Sequence, residues 1–346
     1  MTMRLLLALS LLALLIQPLR AASDPARTFL TTAFRTSAAE IKRLDSGEVV
    51  SRTLDVKNGR EVATLGIVRI KTSPSRYVEL LADIVTFKRA EGVLQIGRFS
   101  NPPRLEDIAT LKLDGDELNR LKTCRVDDCK LRLSAEDVTR IGREIDWRAP
   151  DAPEKATQLV RQALVAYVSR YRDGGAAAAL EYSGRAPRLN VGREFASLLD
   201  ADPVTATYAP RLRRHLLDYP SSGGEKITDF VYWSRELVRG RPVVSMTHVA
   251  TAAAIDDSPV AYAIGSKQIY AMHYYDASLG LTLLVPDPTA PSPATYVIYL
   301  NRSRIDLFDG LFGGVARKIV AGKARTLVAE QLQRLQRTLA SEASAR

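Results

Sequence analysis

The stretch that decides the fold lies near the end of the chain, where residues 313–339 read GGVARKIVAGKARTLVAEQLQRLQRTL. Its apolar residues recur every three or four positions, which places most of them on one stripe of a helix. They are Val315, Ile319, Val320, Ala324, Leu327, Val328, Leu332, Leu335 and Leu339. Such a stripe needs a hydrophobic partner. The pattern predicts an α+β chain in which this long C-terminal helix grips a curved antiparallel sheet.

The partner sheet is predicted from the segments that precede the helix. They alternate apolar and polar residues and are bounded by glycine, proline and serine, as strands are. The segments are 226–238, 243–253, 260–276, 279–285 and 295–304. Gly265 predicts a bend or bulge in the third of them. Between this sheet and the closing helix we expect room for an apolar guest.

The first hundred residues predict a smaller unit that joins the same sheet. Asn58-Gly59 separates two strand-like runs, 48–56 and 61–71, and this dipeptide favours a tight hairpin turn. Ser73-Pro74 then has the pattern of a helix cap followed by proline at the first helical position. A return strand follows at 93–99. From 104 to 220 the sequence is predominantly helical in character.

This order of elements resembles the helix-grip fold of the START and polyketide-cyclase-like superfamily. The hairpin leading into residues 66–78, GIVRIKTSPSRYV, looks like the second strand and following helix of that fold, and Leu311-Phe312-Gly313-Gly314 looks like the entry into its closing helix. The resemblance implies one domain over residues 22–346 with a helical insertion at about 104–220. It also implies an apolar ligand, such as a lipid, sterol or polyketide, between sheet and helix. It implies no catalytic motif.

The N-terminus has the parts of a secretory signal peptide. Arg4 precedes an apolar run from Leu5 to Ile16, and the small residues Ala21-Ala22 follow. The run is shorter than the roughly 20 residues that span a bilayer. We therefore predict cleavage after about residue 21 and export to the periplasm or the extracellular space.

The net positive charge of the chain indicates which classes of binding partner it favours. The formal net charge is +10 at pH 7, and some of it lies around the closing helix. The basic residues there are Arg302, Arg304, Arg317, Lys318, Lys323 and Arg325. Outside the cytoplasm such charge favours anionic lipid head groups over nucleic acid, although a solvated helix face has the same composition. We predict peripheral contact with an anionic membrane surface and no nucleic-acid partner.

The two cysteines, Cys124 and Cys129, predict a structural disulfide. An exported chain favours the oxidised pair. The spacing is not that of a thioredoxin-type site, and no further cysteine is present to complete a zinc site. No metal and no cofactor are predicted.

Catalytic motifs are absent from the sequence. It has no phosphate-binding glycine loop, no Gly-x-Ser-x-Gly elbow, no His-Glu-x-x-His and no calcium loop. The remaining candidates are His248 and His273, with a tyrosine or Asp276 as the second titratable group. His215 belongs to a basic segment and is expected to be exposed. Metal binding by His248 and His273 would require a third ligand.

The predicted ligand contacts lie in the last third of the chain, where aromatic and polar groups mix as they do in small-molecule pockets. They are Trp233, Met246, His248, Tyr270, Met272, His273, Tyr274 and Phe312. The sequence thus favours an exported, non-catalytic binder or carrier of a hydrophobic, lipid-like ligand. Two alternatives stay open: an acid–base enzyme of the same fold, and an envelope protein-interaction module that uses residues 104–220.

Overall fold

The structure, a computed structural model, describes residues 24–182, 188–221, 227–238, 240–253, 258–308 and 313–344. The predicted signal peptide lies outside these ranges. A large antiparallel sheet of eight strands dominates the described residues. In chain order the strands are β1 (Val50–Leu54), β2 (Glu61–Ile70), β3 (Val93–Arg98), β6 (Ile227–Val238), β7 (Arg241–Ala253), β8 (Tyr262–Ala271), β9 (Tyr275–Pro286) and β10 (Thr295–Ile305). A separate small ladder pairs β4 (Glu181–Tyr182) with β5 (Leu189–Asn190).

The strand order β1-β2-β10-β9-β8-β7-β6-β3 places the two ends of the chain side by side. The predicted hairpin is confirmed, with β1 and β2 paired antiparallel around the Asn58-Gly59 turn. The hairpin then joins the C-terminal meander through β2, which pairs along its whole length with β10. Only β1 and β3 are edges of this sheet.

Helices cover both faces of the sheet. They are α1 (Pro25–Phe34), α2 (Ala38–Asp45), α3 (Pro74–Ala82), α4 (Ile84–Phe87), α5 (Gly115–Thr123), α6 (Ala135–Glu144), α7 (Ala152–Gly174), α8 (Val191–Asp200), α9 (Pro203–Tyr208), α10 (Pro210–Asp218) and α11 (Gly313–Ser344). Short 3-10 helices lie at Leu105–Ile108, Gly175–Ala178 and Asp306–Phe308. The Ser-Pro helix start is confirmed, because the Ser73 side chain accepts a hydrogen bond from the backbone of Arg76 at 3.2 Å. None of the described helices is both long enough and apolar enough to cross a membrane.

The predicted C-terminal helix exists as α11 and packs on the sheet. The predicted apolar stripe is buried only in part, because Val315, Ile319 and Leu327 are exposed. Its buried Val328, Leu332 and Leu339 share a core with Val68 and Ile70 of β2. We call this side of the sheet the α11 face. Adjacent residues of each strand point the other way and pack against α1, α8 and α10 in a second core, for example Ile67. The cysteine loop that joins α5 to the segment before α6 is closed by the predicted Cys124–Cys129 disulfide, which is compatible with an oxidising location.

The predicted strand over 260–276 is wrong in one respect, because the structure divides it into β8 and β9. The chain turns at Tyr274, which has a positive φ of 64°. No glycine, proline or asparagine marks this turn in the sequence. Gly265 sits in regular pairing between Ala250 and Leu281 instead of at a bulge. A β-carbon there would lie 2.7 Å from Leu216 Cδ1, so the glycine lets α10 approach the sheet.

Candidate functional site

Along the central strands, the side chains on the α11 face change from aliphatic to polar. One part carries the aliphatic side chains that α11 and α3 cover, including Val68, Leu284 and Val297. The neighbouring part carries hydroxyl and amide groups. These polar residues are Thr64, Ser266, Gln268, Ser278, Thr282, Tyr299, Asn301 and Ser303. A polar set of this size is unusual under an amphipathic helix, since buried polar groups require partners.

This polar part of the sheet is accessible from one side. Ser266, Ser278, Tyr299 and Asn301 are half-buried, whereas the residues between them on β9 and β10, such as Leu279 and Leu300, are buried. Strands β8, β9 and β10 are each flanked by strands on both sides. Their side chains can therefore reach solvent only if the face above them is open. We call this partly exposed polar area of the α11 face the sheet groove.

Hydrogen bonds tie the floor of the sheet groove together. The Asn301 amide donates to Ser278 Oγ at 3.3 Å and to Tyr299 Oη at 3.5 Å, while Ser303 Oγ donates to Asn301 Oδ1 at 2.9 Å. Ser278 and Ser303 are 2.8 Å apart across the β9–β10 pair. The floor thus presents preorganised donors and acceptors whose orientation is fixed by neighbours in the sheet.

One wall of the sheet groove is α11. Gly66 is paired with Tyr299 in the β2–β10 ladder. A β-carbon on Gly66 would lie 2.5 Å from Val328 Cγ1 and 2.6 Å from Leu332 Cδ1. The glycine lets the helix sit directly on β2 beside the polar floor. The first half of α11 continues past the groove, where Ala316 and Val320 pack near Tyr275.

The opposite wall comes from α3 and from the residue after α4. Tyr77 is buried, and this burial raises its pKa. Lys88 Nζ donates to Glu236 at 2.8 Å and to Tyr232 Oη at 3.3 Å. Burial lowers the pKa of Lys88, but Tyr232 and Glu236 more than offset it and the pKa is raised. Burial has the opposite effect on the carboxyl group of Glu236 and raises its pKa. The positive charge of Lys88 reverses this effect, so the pKa of Glu236 is lowered. The pair is therefore ionised.

A second concave site lies near the turn between β8 and β9. It is a charged cavity of about 400 Å³. Its lining residues are Asp114, Asp116, Glu117, Arg120, Lys130, Arg132, Gly240, Arg241, Pro242, His273, Tyr274 and Asp306. Two of the predicted contacts, His273 and Tyr274, lie here. Burial lowers the pKa of His273 to about 4, with Arg120 and Arg132 acting in the same direction. His273 is therefore neutral at pH 7.

Four other predicted contacts lie on the face opposite to α11. Trp233, Met246, Tyr270 and Met272 are at most 1% exposed and share a core with α7. The Trp233 indole donates to the carbonyl of Asp107 at 2.8 Å. Successive residues of β6 point to opposite faces, so Phe230 and Tyr232 take the α11 face while Trp233 packs on the α7 side. Phe312 lies outside the described residues.

The remaining catalytic candidates have structural partners. Asp276 is buried and forms ion pairs with Arg132 at 2.7 Å and Arg60 at 2.9 Å. Burial raises the pKa of Asp276, although the positive charges of both arginines act to lower it.

Of the predicted basic residues, Arg302 and Arg304 are buried and paired with Glu61 and Glu194. Lys318, Lys323 and Arg325 are exposed on α11.

His248 is fully buried and lies close to His215 and Asp229. The expectation that His215 is exposed is wrong, because α10 packs on the sheet and leaves the residue 7% exposed. Burial lowers the pKa of His248, while Asp229 acts in the opposite direction. Burial raises the pKa of Asp229, but the two histidines beside it reverse this effect, and the pKa is strongly lowered.

The residues that form the sheet groove were not among the predicted contacts. A signal for them exists in the sequence, since β9 carries Ser278, Gly280 and Thr282 at alternate positions, and β10 carries Tyr299, Asn301 and Ser303. A period of two with polar residues on one side marks a sheet face that is not packed as core.

Comparisons of the chain with protein-family models, with curated proteins and with solved structures found no match.

Proposed function

We propose that the chain is an exported, non-catalytic binding protein that holds a small amphipathic molecule in the sheet groove. The observation that carries this proposal is the polar, half-buried floor on three interior strands directly beside an amphipathic helix. A sheet face that served only as core would bury aliphatic side chains there. The resemblance to the START and polyketide-cyclase-like superfamily supports the same location, between the sheet and the closing helix.

The chemistry of the groove favours a ligand with two different ends. Asn301, Ser278 and Tyr299 offer hydrogen bonds from the floor, and the aliphatic side chains of α11 line one edge. An apolar ligand with a hydroxyl, carbonyl or carboxyl group matches both, because each buried polar group of the floor would keep a partner. This specifies the lipid-like ligand class predicted from the sequence. Exposed Lys318, Lys323 and Arg325 support collection of such a ligand at an anionic membrane surface.

The test begins with extraction of the purified full chain in organic solvent, followed by mass spectrometry. We expect a co-purified amphipathic molecule. A dansyl-labelled fatty acid then serves as a probe, titrated by fluorescence. Asn301→Leu removes the floor amide and fills the space above it, and we expect it to weaken probe binding at least tenfold, about 1.4 kcal/mol. Asn119→Leu, the same substitution on the exposed surface of α5, should bind as the wild type does.

Two outcomes would reject the proposal. One is a wild-type protein that carries no extractable molecule and does not bind the probe. The other is a folded Asn301→Leu variant with unchanged probe affinity.

The two alternatives from the sequence remain predictions. An acid–base enzyme would use the charged cavity with His273, and an interaction module would use the helices between 104 and 220.

A further inference from the structure

Two histidines and one aspartate converge on the face of the sheet opposite to α11. His215 comes from the last turn of α10, Asp229 from β6 and His248 from β7. Asp229 is paired with Ala250, so His248 is its diagonal neighbour on the same face. Helix α10 packs over β7 and β8 and brings the third side chain to them. Distant parts of the chain therefore assemble this group, and its residues have no motif spacing in the sequence.

The distances between the three side chains are those of a ligand set. His215 Nε2 lies 3.3 Å from Asp229 Oδ2, and His248 Nε2 lies 3.6 Å from Asp229 Oδ1. One ligand atom from each residue lies within 4.8 Å of the others. Bonds of about 2.0–2.1 Å at tetrahedral angles require ligand atoms about 3.3 Å apart. A cation fits between the three with small side-chain movements.

A second observation concerns His248 alone. Its side chain is fully buried, and Nε2 has no hydrogen-bond partner among the described residues. A buried polar atom in this condition is costly unless something binds it. Its other ring nitrogen, Nδ1, lies 2.9 Å from Tyr171 Oη. A metal-bound histidine characteristically donates its second N–H to an oxygen in this manner, which fixes the ring and the tautomer.

We propose that His215, Asp229 and His248 form a site for a single divalent transition-metal ion of the zinc class. Two imidazoles and one carboxylate suit such an ion. The Asp229 side chain is 27% exposed while the histidines are at most 8% exposed, so the site opens to solvent on the aspartate side. Three protein ligands leave a fourth position there for water or another small ligand.

The surroundings contain one further buried charge that bears on the site. Lys267 is paired with His248 across β7 and β8. Its Nζ donates to the carbonyl of Leu216 at 2.9 Å. Tyr219 packs against both imidazoles, with ring centroids 4.4 Å from His248 and 5.4 Å from His215, and restricts their movement.

The experiment uses the full chain, stripped with a chelator and checked for folding by circular dichroism. Zn²⁺ is titrated by calorimetry, and Co²⁺ by its visible absorption. We expect one equivalent of metal per chain and a higher thermal midpoint with Zn²⁺. Asp229→Asn keeps the size of the side chain but removes its charge, and we expect at least tenfold weaker binding. His273→Gln, which alters the histidine outside the cluster, should bind metal like the wild type.

The proposal fails if the stripped, folded wild type takes up no stoichiometric Zn²⁺ or Co²⁺. It also fails if folded Asp229→Asn binds Zn²⁺ as tightly as the wild type. His215→Gln repeats the test from the helix side should Asp229→Asn not fold. The result is separate from the binding function proposed above, because the sheet groove lies on the other face. Asn301→Leu should keep its metal.

Discussion

At the scale of single residues, His273 links burial to pH dependence. Its pKa in the folded chain is lowered from 6.5 to about 4, first by burial and then by Arg120 and Arg132. Between these values the unfolded chain binds a proton that the folded chain does not, so stability falls as the pH decreases from 6.5 toward 4. We expect His273→Gln to reduce the stability lost between pH 7 and pH 5 by about 1 to 2 kcal/mol.

Urea unfolding of both proteins at the two pH values measures this difference. Carboxylates titrate in the same range. The informative quantity is therefore the stability lost by the wild type between pH 7 and pH 5 minus the stability lost by the variant. Equal losses of stability in the two proteins would show that His273 is protonated as readily in the folded chain as in the unfolded one.

At the scale of elements, the contact between α11 and β2 depends on Gly66. A methyl group there would meet Val328 and Leu332, so α11 must shift or both side chains must change rotamer. We expect Gly66→Ala to destabilise the protein by about 1–3 kcal/mol. In the presence of Leu332→Ala the added methyl group should cost less, because the space it needs is then vacant. Thermal and urea unfolding of the single and double variants measure the coupling.

Gly142 provides the matched control for this substitution. It lies exposed in α6, and nothing lies within 4 Å of a β-carbon placed there. Gly142→Ala should therefore stabilise the protein by about 0.5–1 kcal/mol through helix propensity alone. If Gly66→Ala had the same effect as Gly142→Ala, α11 would not be seated on β2.

At the scale of the whole molecule, a buried ionic network joins segments that are far apart in sequence. Asp276 of β9 pairs with Arg60 of the hairpin turn and with Arg132 of the helical region. Glu194 of α8 in turn contacts Arg60 and Arg304. Removing one charge from such a network leaves its partners buried without full compensation. We expect Asp276→Asn to lower the free energy of unfolding by roughly 3 kcal/mol.

Asp151→Asn is the control for Asp276→Asn. Asp151 pairs with Lys155 one turn further along an exposed part of α7, and its substitution should leave chemical unfolding unchanged within error. A loss of stability at Asp276 no larger than at Asp151 would mean that the network does not hold the helical region to the sheet.

The sequence by itself determined the elements whose signals are local. The Asn-Gly turn specified the hairpin, Ser73-Pro74 specified the start of α3, and the apolar spacing of residues 315–339 specified a long helix that packs on the sheet. The cysteine pair was predicted in the same way. Each of these depends on residues within a few positions of one another, where backbone geometry and side-chain period act directly.

The tertiary structure alone decided which face of each strand is open and which residues meet. Trp233, Met246, Tyr270 and Met272 match a ligand pocket in composition, but the face they occupy was set by the packing of α7. His215, Asp229 and His248 meet because α10 crosses β7 and β8. The register between strands and the seating of helices depend on complementary surfaces distributed over the whole chain. A local pattern does not contain that information, because a shift of one residue in a strand exchanges its two faces.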